Sequence, residues 1–282
     1  MQPPARAMSV TDTLRSLVQR GEVHLPAVPD VTRRLQELLA DEDRADARRA
    51  AEIIATEPAI ATSVLRLANS VVYGGLKQVL ELAEAVGRIG MRQVSSLATT
   101  IAIRGVFESK SPERQLQLAD SWSLALCAAV TTRKLCVGLT DPEHAYLAGL
   151  LHDIGKPLIL KLLDQVEKKL LEPLTPAAVV ELLDALHTEL GHKLLIMWRI
   201  PEPVCETALR HHEAKIPTSM VLLSRVQAGD AIADYLRMTP EEREKHPVAE
   251  NPVVERLNLT ELEIADLIVE IEDQMVVLRQ LG

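Results

Sequence analysis

The stretch AYLAGLLHDIGKPLIL, residues 145–160, places a histidine beside an aspartate in an otherwise apolar run. An Asp-Pro pair at residues 141–142 precedes it, and this pair is typical of a helix N-terminus. Gly155 follows the His-Asp pair and is a common signal for a helix end. The sequence therefore predicts a buried helix that carries His152 and Asp153 in its last turn.

The composition of the chain favours an all-α fold. Hydrophobic residues make up 47% of the 282 residues, enough to fill a substantial core, but aromatic residues make up only 2%. A core of Leu, Ala, Val and Ile, with few alternating β-branched or aromatic segments, is typical of packed helices. We expect a multi-helix bundle.

The net charge of −9 lacks the basic excess expected of a protein that binds nucleic acid or an anionic membrane. No apolar run approaches the roughly 20 residues that cross a bilayer, and the first residues lack the apolar segment of a signal peptide. Cys127, Cys136 and Cys205 are far apart and form no CxxC pair, which suits a reducing compartment. We expect a cytoplasmic protein that binds neither nucleic acid nor membrane.

Amphipathic helices are predicted along the whole chain. One early helix has an apolar face that comprises Val28, Val31, Leu35, Leu38 and Leu39. A later helix is expected to stop at Glu57, to restart at Pro58 and to close at the glycine pair 74–75.

The last 43 residues carry most of the negative charge but still show helical spacing. Leu262, Leu267 and Ile271 follow Thr260, a suitable N-cap. We expect a docked helix here, whose apolar face could pack on its own chain or serve a homodimer.

Several polar side chains stand in the predicted helices of the second half of the chain. His187, His211, His212 and Asp230 lie on separate segments after His152. Imidazole and carboxylate together suit iron, manganese or zinc, which activate water for phosphoester hydrolysis. The alternative is structural: Asp230 needs a partner on its apolar helix, and His152, Arg210 or a metal ion would each serve.

Longer phrases carry a resemblance to a known family. LLHDIGK, HTELG, WRIPEPV, RHHE and GDAIA resemble the later half of an HD-superfamily domain, whose enzymes are metal-dependent phosphohydrolases on a helical bundle. IIATEPAIATSVLRLANSVVYG and AVGRIGMRQVSSLATTIAIRGVF resemble the HDOD family, a regulatory branch of that superfamily. The resemblance runs from about residue 20 to residue 238.

This resemblance implies four segments. They are an N-terminal extension (1–19), an N-terminal helical lobe (20–115), an HD-like helical lobe (116–238) and an acidic helical extension (239–282).

The metal pattern of the superfamily transfers only in part. The resemblance implies that the metal ligands are the HD doublet, three later histidines and a terminal aspartate, namely His152, Asp153, His187, His211, His212 and Asp230. The first histidine of the pattern is missing, and Leu124 stands where it is expected. An incomplete site implies that no cofactor is required and that a divalent ion (Fe, Mn, Zn or Mg) binds at partial occupancy. It also implies that any hydrolysis is inefficient.

The resemblance therefore implies a non-catalytic bacterial signalling protein that acts by binding a protein partner or a small ligand such as a nucleotide second messenger. Lys156 and Arg210 are candidates for ligand contacts. Two alternatives stay open at this point. One is a metal-dependent phosphohydrolase or cyclic-nucleotide phosphodiesterase, and the other is a nucleotide-binding sensor without turnover.

Overall fold

The protein is an array of α-helices. The computed structural model describes residues 10–20, 26–27, 30–41, 43, 45–73, 77–166 and 174–281. Within these ranges there is no β-strand, so the predicted all-α fold is confirmed. Among the same residues, no helix combines the length and the apolar character needed to cross a membrane.

The first helices are short. They are α1 (Val10–Gln19), α2 (Asp30–Ala40), α3 (Ala47–Ala55), α4 (Pro58–Ala68), α5 (Leu82–Ile89) and α6 (Met91–Ile103), the last followed by a 3-10 turn. The later helices include the longest of the chain. They are α7 (Pro112–Leu135), α8 (Pro142–Leu151), α9 (Gly155–Val166), α10 (Pro176–Met197), α11 (Glu202–Arg210), α12 (Val221–Arg237), α13 (Pro240–Lys245), α14 (Pro252–Glu255) and α15 (Glu261–Leu281).

Two groups of buried apolar side chains hold these helices together. The N-terminal cluster comes from α2 to α6 and the segment before α5. The C-terminal cluster is larger: α7 to α12 supply most of it, α1 contributes Leu14, and α15 contributes Ile264, Ile271 and Met275. The division of the chain into four segments stays a prediction, although the two clusters give each half of the chain its own core.

The predicted break between α3 and α4 is confirmed. Pro58 stands in the first turn of α4, where its missing N–H costs nothing. The closing signal was wrong, because α4 ends at Ala68. The Asn69 side chain joins this end to the next segment by bonds with the N–H and C=O of Val79, each 2.8 Å long. Val28 and the glycine pair 74–75 lie outside the described residues.

The turn after α8 differs from the prediction. Asp141 caps the helix as expected, but α8 ends at Leu151, so His152 and Asp153 lie in the turn that follows it. Gly155 begins α9 instead of only ending α8. A Cβ atom on Gly155 would lie 1.9 Å from the backbone oxygen of His187 in α10. This glycine therefore allows two helices to touch, a requirement that the local sequence does not reveal.

Helix α15 is docked as predicted, and two of the three residues expected on its apolar face, Leu267 and Ile271, pack against the core. Ile271 is fully buried, whereas Leu262 is 71% exposed. The reason is helical geometry. The five steps from Leu262 to Leu267 rotate the chain by about 500°, so the side chains of Leu262 and Leu267 lie on different faces of the helix. Ile264, seven residues before Ile271, takes the buried position instead.

Candidate metal centre

Three helices and one turn bring the predicted ligands together. His152 and Asp153 lie in the turn between α8 and α9, and Asp230 projects from α12. The three later histidines come from the middle of α10 and from the end of α11, and they are His187, His211 and His212. All six predicted ligands thus meet in one place, in two overlapping groups that share Asp153.

The first group, the histidine site, contains Asp153 and the three later histidines. One ligand atom from each lies within 4.8 Å of the others. Oδ1 of Asp153 is 3.5 Å from Nε2 of His187 and 3.2 Å from Nε2 of His211. Nε2 of His187 is also 2.9 Å from Nε2 of His212.

Backbone carbonyls fix the orientation of two of these imidazoles. Nδ1 of His187 lies 2.7 Å from the carbonyl oxygen of Leu183, and Nδ1 of His211 lies 3.2 Å from that of Ala208. If each Nδ1 carries the proton and donates it, each Nε2 keeps its lone pair. Metal-binding histidines are usually held in this way. Both lone pairs then face Asp153.

The histidine site contains buried polar atoms that lack a partner. Oδ1 of Asp153 and Nε2 of His211 are buried and make no hydrogen bond, because they lie 3.2 Å apart without the required alignment. An unpaired buried polar atom costs about 1–3 kcal/mol, and more if it is charged. A cation would satisfy both atoms at once. Three imidazoles with one carboxylate are a donor set that suits zinc, iron or manganese. The residues present therefore fit a single divalent ion.

The electrostatics of the histidine site also favour ligands without a proton. Burial lowers the pKa of His187, and burial together with the neighbouring His211 and His187 lowers the pKa of His212 to about 4. Both imidazoles are therefore neutral near pH 7. Neutral imidazole is the form that coordinates a metal ion.

The second group, the carboxylate site, contains His152, Asp153 and Asp230. Nε2 of His152 lies 3.2 Å from Oδ1 of Asp230 and 3.7 Å from Oδ2 of Asp153. Lys156, in the first turn of α9, donates a hydrogen bond to Oδ2 of Asp153.

Internal charges balance in the carboxylate site. Burial alone would lower the pKa of His152, but Asp153 and Asp230 raise it to about 9. Burial opposes the charge of Lys156 as well, yet Asp153 and Asp230 raise its pKa. Despite their burial, His152 holds the pKa of both carboxyl groups below the usual value. Two cationic side chains thus face two carboxylates near pH 7.

Leu124, which stands where the superfamily pattern expects a histidine, offers no ligand atom. Its side chain lines a cavity of about 430 Å³ between α7, α12 and α15, together with Ala233 and Met275. Contacts between α7 and α8 show which face of α7 is the relevant one. Arg133 lies over the Tyr146 ring, and the backbone of Ala128 lies against Gly149.

One turn further along both helices, this antiparallel order brings Leu124 and Ala125 to the level of His152. Neither side chain offers a ligand atom, so α7 supplies no metal ligand at this level.

Arg210 pairs with acidic neighbours, and its contact with a ligand stays a prediction. Nε of Arg210 bonds to Glu213 at 2.8 Å, and Nη1 lies 3.8 Å from Glu206. The partner of Asp230 is His152 and not Arg210. The sequence signal for the Glu213 pair was available, because the two residues are three positions apart at a helix end.

A model of the HDOD domain family matches residues 25–214. The chain belongs to the HDOD family. The match covers the N-terminal cluster and most of the C-terminal cluster, including every predicted ligand except Asp230. The family assignment from the sequence phrases is therefore confirmed.

Solved structures share the fold over nearly the whole chain. An HDOD domain protein of unknown function from Geobacter sulfurreducens is 25% identical, with a TM-score of 0.71 over 96% of this chain and 97% of the other. A Shewanella amazonensis protein, provisionally named a metal-dependent phosphohydrolase, is 20% identical, with a TM-score of 0.70 over 93% and 97%. A Marinobacter aquaeolei protein, provisionally named a signal transduction protein, is 20% identical, with a TM-score of 0.64 over 99% and 62%.

A curated relative from Treponema pallidum, described as uncharacterized, is 27% identical over 171 residues. The match covers 57% of this chain, and the chain spans about a third (32%) of the length of that relative.

Proposed function

We propose that this HDOD protein is a regulatory protein that acts by binding, and that its metal centre holds one divalent ion in the histidine site. The observation that carries the proposal is the pairing of Asp153 and Asp230 with Lys156 and His152 in the carboxylate site. A second ion there would have to displace two side-chain cations, and α7 contributes no ligand for it.

A divalent ion in such a site supplies Lewis acidity and lowers the pKa of bound water. The residues of this chain support only part of that chemistry. The three imidazoles and Asp153 fix the position of the ion, while Lys156 pulls Oδ2 of the shared carboxylate towards itself. Phosphoester hydrolysis by a pair of ions requires both sites, and only one has its ligands available.

A binding function explains why the centre is retained. An ion that joins α10, α11 and the α8–α9 turn would stabilise the arrangement of these helices, because ligands that bind only the folded state add to its stability. The partner that reads this arrangement is, in the proposal, another protein of a bacterial signalling pathway in the cytoplasm. All three cysteines are buried thiols that form no disulfide bond, which agrees with that compartment.

The experiment that tests the proposal is metal analysis by mass spectrometry on untagged protein purified without chelator. We expect about one ion per chain, lost in His211→Ala and in His187→Ala but kept in His152→Ala. His246→Ala is the matched control, since this histidine is exposed on the segment after α13.

The same proteins are then assayed against cyclic dinucleotides and bis(p-nitrophenyl) phosphate. The proposal predicts no turnover by the wild-type protein. Two ions per chain, or a turnover that His211→Ala abolishes and His246→Ala preserves, would instead establish the phosphohydrolase alternative. Absence of any bound ion, even after incubation with zinc or manganese, would reduce the centre to a structural hydrogen-bond network.

A further inference from the structure

A second candidate site lies away from the metal centre, where the two core clusters meet. A cavity of about 400 Å³ is bounded by α4 and α6 on one side, by α7 and α8 on the other, and by α15. Its apolar walls include Leu67, Leu97, Val137 and Leu278. This volume lies in the range of small-molecule sites, which are typically apolar with a few oriented polar groups.

Arg133 is the central polar side chain of this cavity, and its donors are already engaged. Nη2 donates to Oε1 of Gln274 at 3.2 Å, and Nη1 donates to Oε1 of Gln93 at 3.2 Å in the amide orientation that also satisfies Ile89. The guanidinium stacks on the ring of Tyr146, 5.0 Å from its centre. Arg133 is thus held in place from three sides.

Glu143 lines the same cavity but has no comparable partners. Its Oε2 atom is buried and has no hydrogen-bond partner among the described residues, and Oε1 lies 3.9 Å from Nη1 of Arg133, too far for a hydrogen bond. The nearby positive charge stabilises the carboxylate but leaves its acceptor capacity unused. A buried carboxylate in this state is expected to accept hydrogen bonds from a ligand.

Lys134 supplies a cation at the side of α15. It pairs with Glu270, a carboxylate whose side chain is 56% exposed. Exposed pairs of this kind contribute about 0–1 kcal/mol, so a phosphate group could replace Glu270 at little cost. The cavity therefore combines apolar walls, a hydrogen-bond acceptor and an available cation.

We propose that this cavity binds a guanine nucleotide. The N1–H and N2–H groups of guanine lie on one edge and can both donate to the Glu143 carboxylate once a rotation of its side chain turns the buried Oε2 atom towards the cavity. The ring packs between the apolar walls, and the phosphate meets Lys134. Adenine presents an acceptor at N1, so it would leave the carboxylate unpaired. A site that hydrogen-bonds one analogue discriminates strongly against another that lacks the donors.

This inference deepens the proposed regulatory function, because it gives that function a ligand, and it does not depend on the metal centre. Since α15 and both core clusters line the cavity, a bound nucleotide would fix their relative positions. A signal could in this way reach a partner protein without turnover.

The test combines isothermal titration calorimetry with a thermal-shift assay of the full-length protein in the presence of GMP, guanosine or AMP. We expect GMP to bind and to raise the melting temperature, and AMP to bind at least about tenfold more weakly. Glu143→Gln should weaken GMP at least about tenfold, since the amide offers one acceptor and adds a donor. Lys134→Gln should weaken GMP but leave guanosine unchanged.

Glu202→Gln is the matched control, because Glu202 also stands in the first turn of a helix but lines no part of this cavity. The melting temperature of each variant without ligand shows whether it folds. Equal binding of AMP and GMP, unaltered GMP binding by Glu143→Gln, or no binding at all would overturn the inference. So would binding of N-acetylarginine amide in place of GMP, which would mark a site for an arginine of a partner protein.

The two proposals fail separately. Metal content and turnover decide the proposed function, and neither requires nucleotide binding. Titration with GMP decides the inference even in protein treated with chelator.

Discussion

The imidazole of His152 lies 3.2 Å from the carboxylate of Asp230, a residue 78 positions later in the chain. The contact joins the turn after α8 to α12, and a second contact joins Nδ1 of His152 to the carbonyl oxygen of Gly149 at 2.8 Å. Because His152 is almost fully buried, this ion pair ties protonation of the metal centre to the packing of two helices.

The His152–Asp230 pair predicts a loss of stability in alkaline solution. The pKa of His152 is about 9 in the folded protein, above the ordinary 6.5. Its contribution is therefore complete below about pH 6.5 and is lost as the pH rises through about 9. The melting temperature of chelator-treated protein should fall over this window.

Asp230→Asn should make this fall shallower and should destabilise the protein by about 1–3 kcal/mol, the usual cost of leaving a buried group without its partner. Asp234→Asn is the control, because Asp234 is one turn away on α12 and pairs with the exposed Arg237. If the alkaline fall were equally steep in Asp230→Asn, the pair would not set the protonation of His152.

A second prediction concerns the stability of the folded protein at acidic pH. The pKa of His212 is about 4, below the ordinary 6.5, so the unfolded chain binds a proton between these values while the folded protein does not. Stability of metal-free protein should therefore fall as the pH decreases from about 6.5 to 4. Asp153 adds little in this window, because its lowered pKa acts below about 3.8.

His212→Gln should make the acid fall shallower, and one equivalent of zinc should shift it to lower pH, because a bound ion excludes the proton. Thermal unfolding from pH 4 to 7, with and without zinc, measures both effects. An acid fall that neither zinc nor the substitution changes would contradict the assignment of His212 to the site.

Gly155 provides a prediction about packing. In Gly155→Ala the new methyl group would lie 1.9 Å from the backbone oxygen of His187, so α9 or α10 must move. Overpacking of this kind typically costs about 1–3 kcal/mol, and a backbone contact belongs at the upper end. The displaced His187 should also weaken metal binding.

Gly87→Ala is the matched control. Gly87 lies inside α5, and a Cβ atom there would meet nothing within 4 Å. This substitution should stabilise the protein by about 0.5–1 kcal/mol, because alanine is the better helix former. Chemical denaturation of both variants gives the comparison, and a Gly155→Ala protein as stable as wild type would disprove the close approach.

The face of α15 can be tested by a pair of substitutions. Ile271 is fully buried, so Ile271→Ala should cost about 2–5 kcal/mol. Leu262 is 71% exposed, and Leu262→Ala should change the free energy of unfolding by less than about 0.5 kcal/mol. Effects of similar size for the two substitutions in chemical denaturation would instead support the shared apolar face expected from the sequence.

Local signals in the sequence were sufficient for much of the fold. Asp141 predicted the start of α8, because side-chain caps act within three residues. The family phrases likewise identified the ligand residues that the fold brings together. These features depend on short stretches of chain or on phrases long enough to compare.

Features that depend on contacts between distant segments were not predictable in the same way. Gly155 resembled a helix stop, but the backbone of α10 explains its presence. The cavity that Leu124 lines was not predictable either, because the rotation of α7 about its axis is fixed by its contacts with neighbouring helices. Nothing in the local sequence indicated that Glu143 would line a cavity with Gln274, over 130 residues later.

Helix α15 completes the wall of the cavity between the core clusters through Gln274, Val277 and Leu278. It is also the last of the described helices to leave the ribosome. The earlier helices can collapse around their own apolar clusters during synthesis, but this wall forms only when the end of the described chain has emerged. The cavity can therefore form only late in translation. A chain interrupted before α15 would keep most of both core clusters but would lack one wall of the cavity.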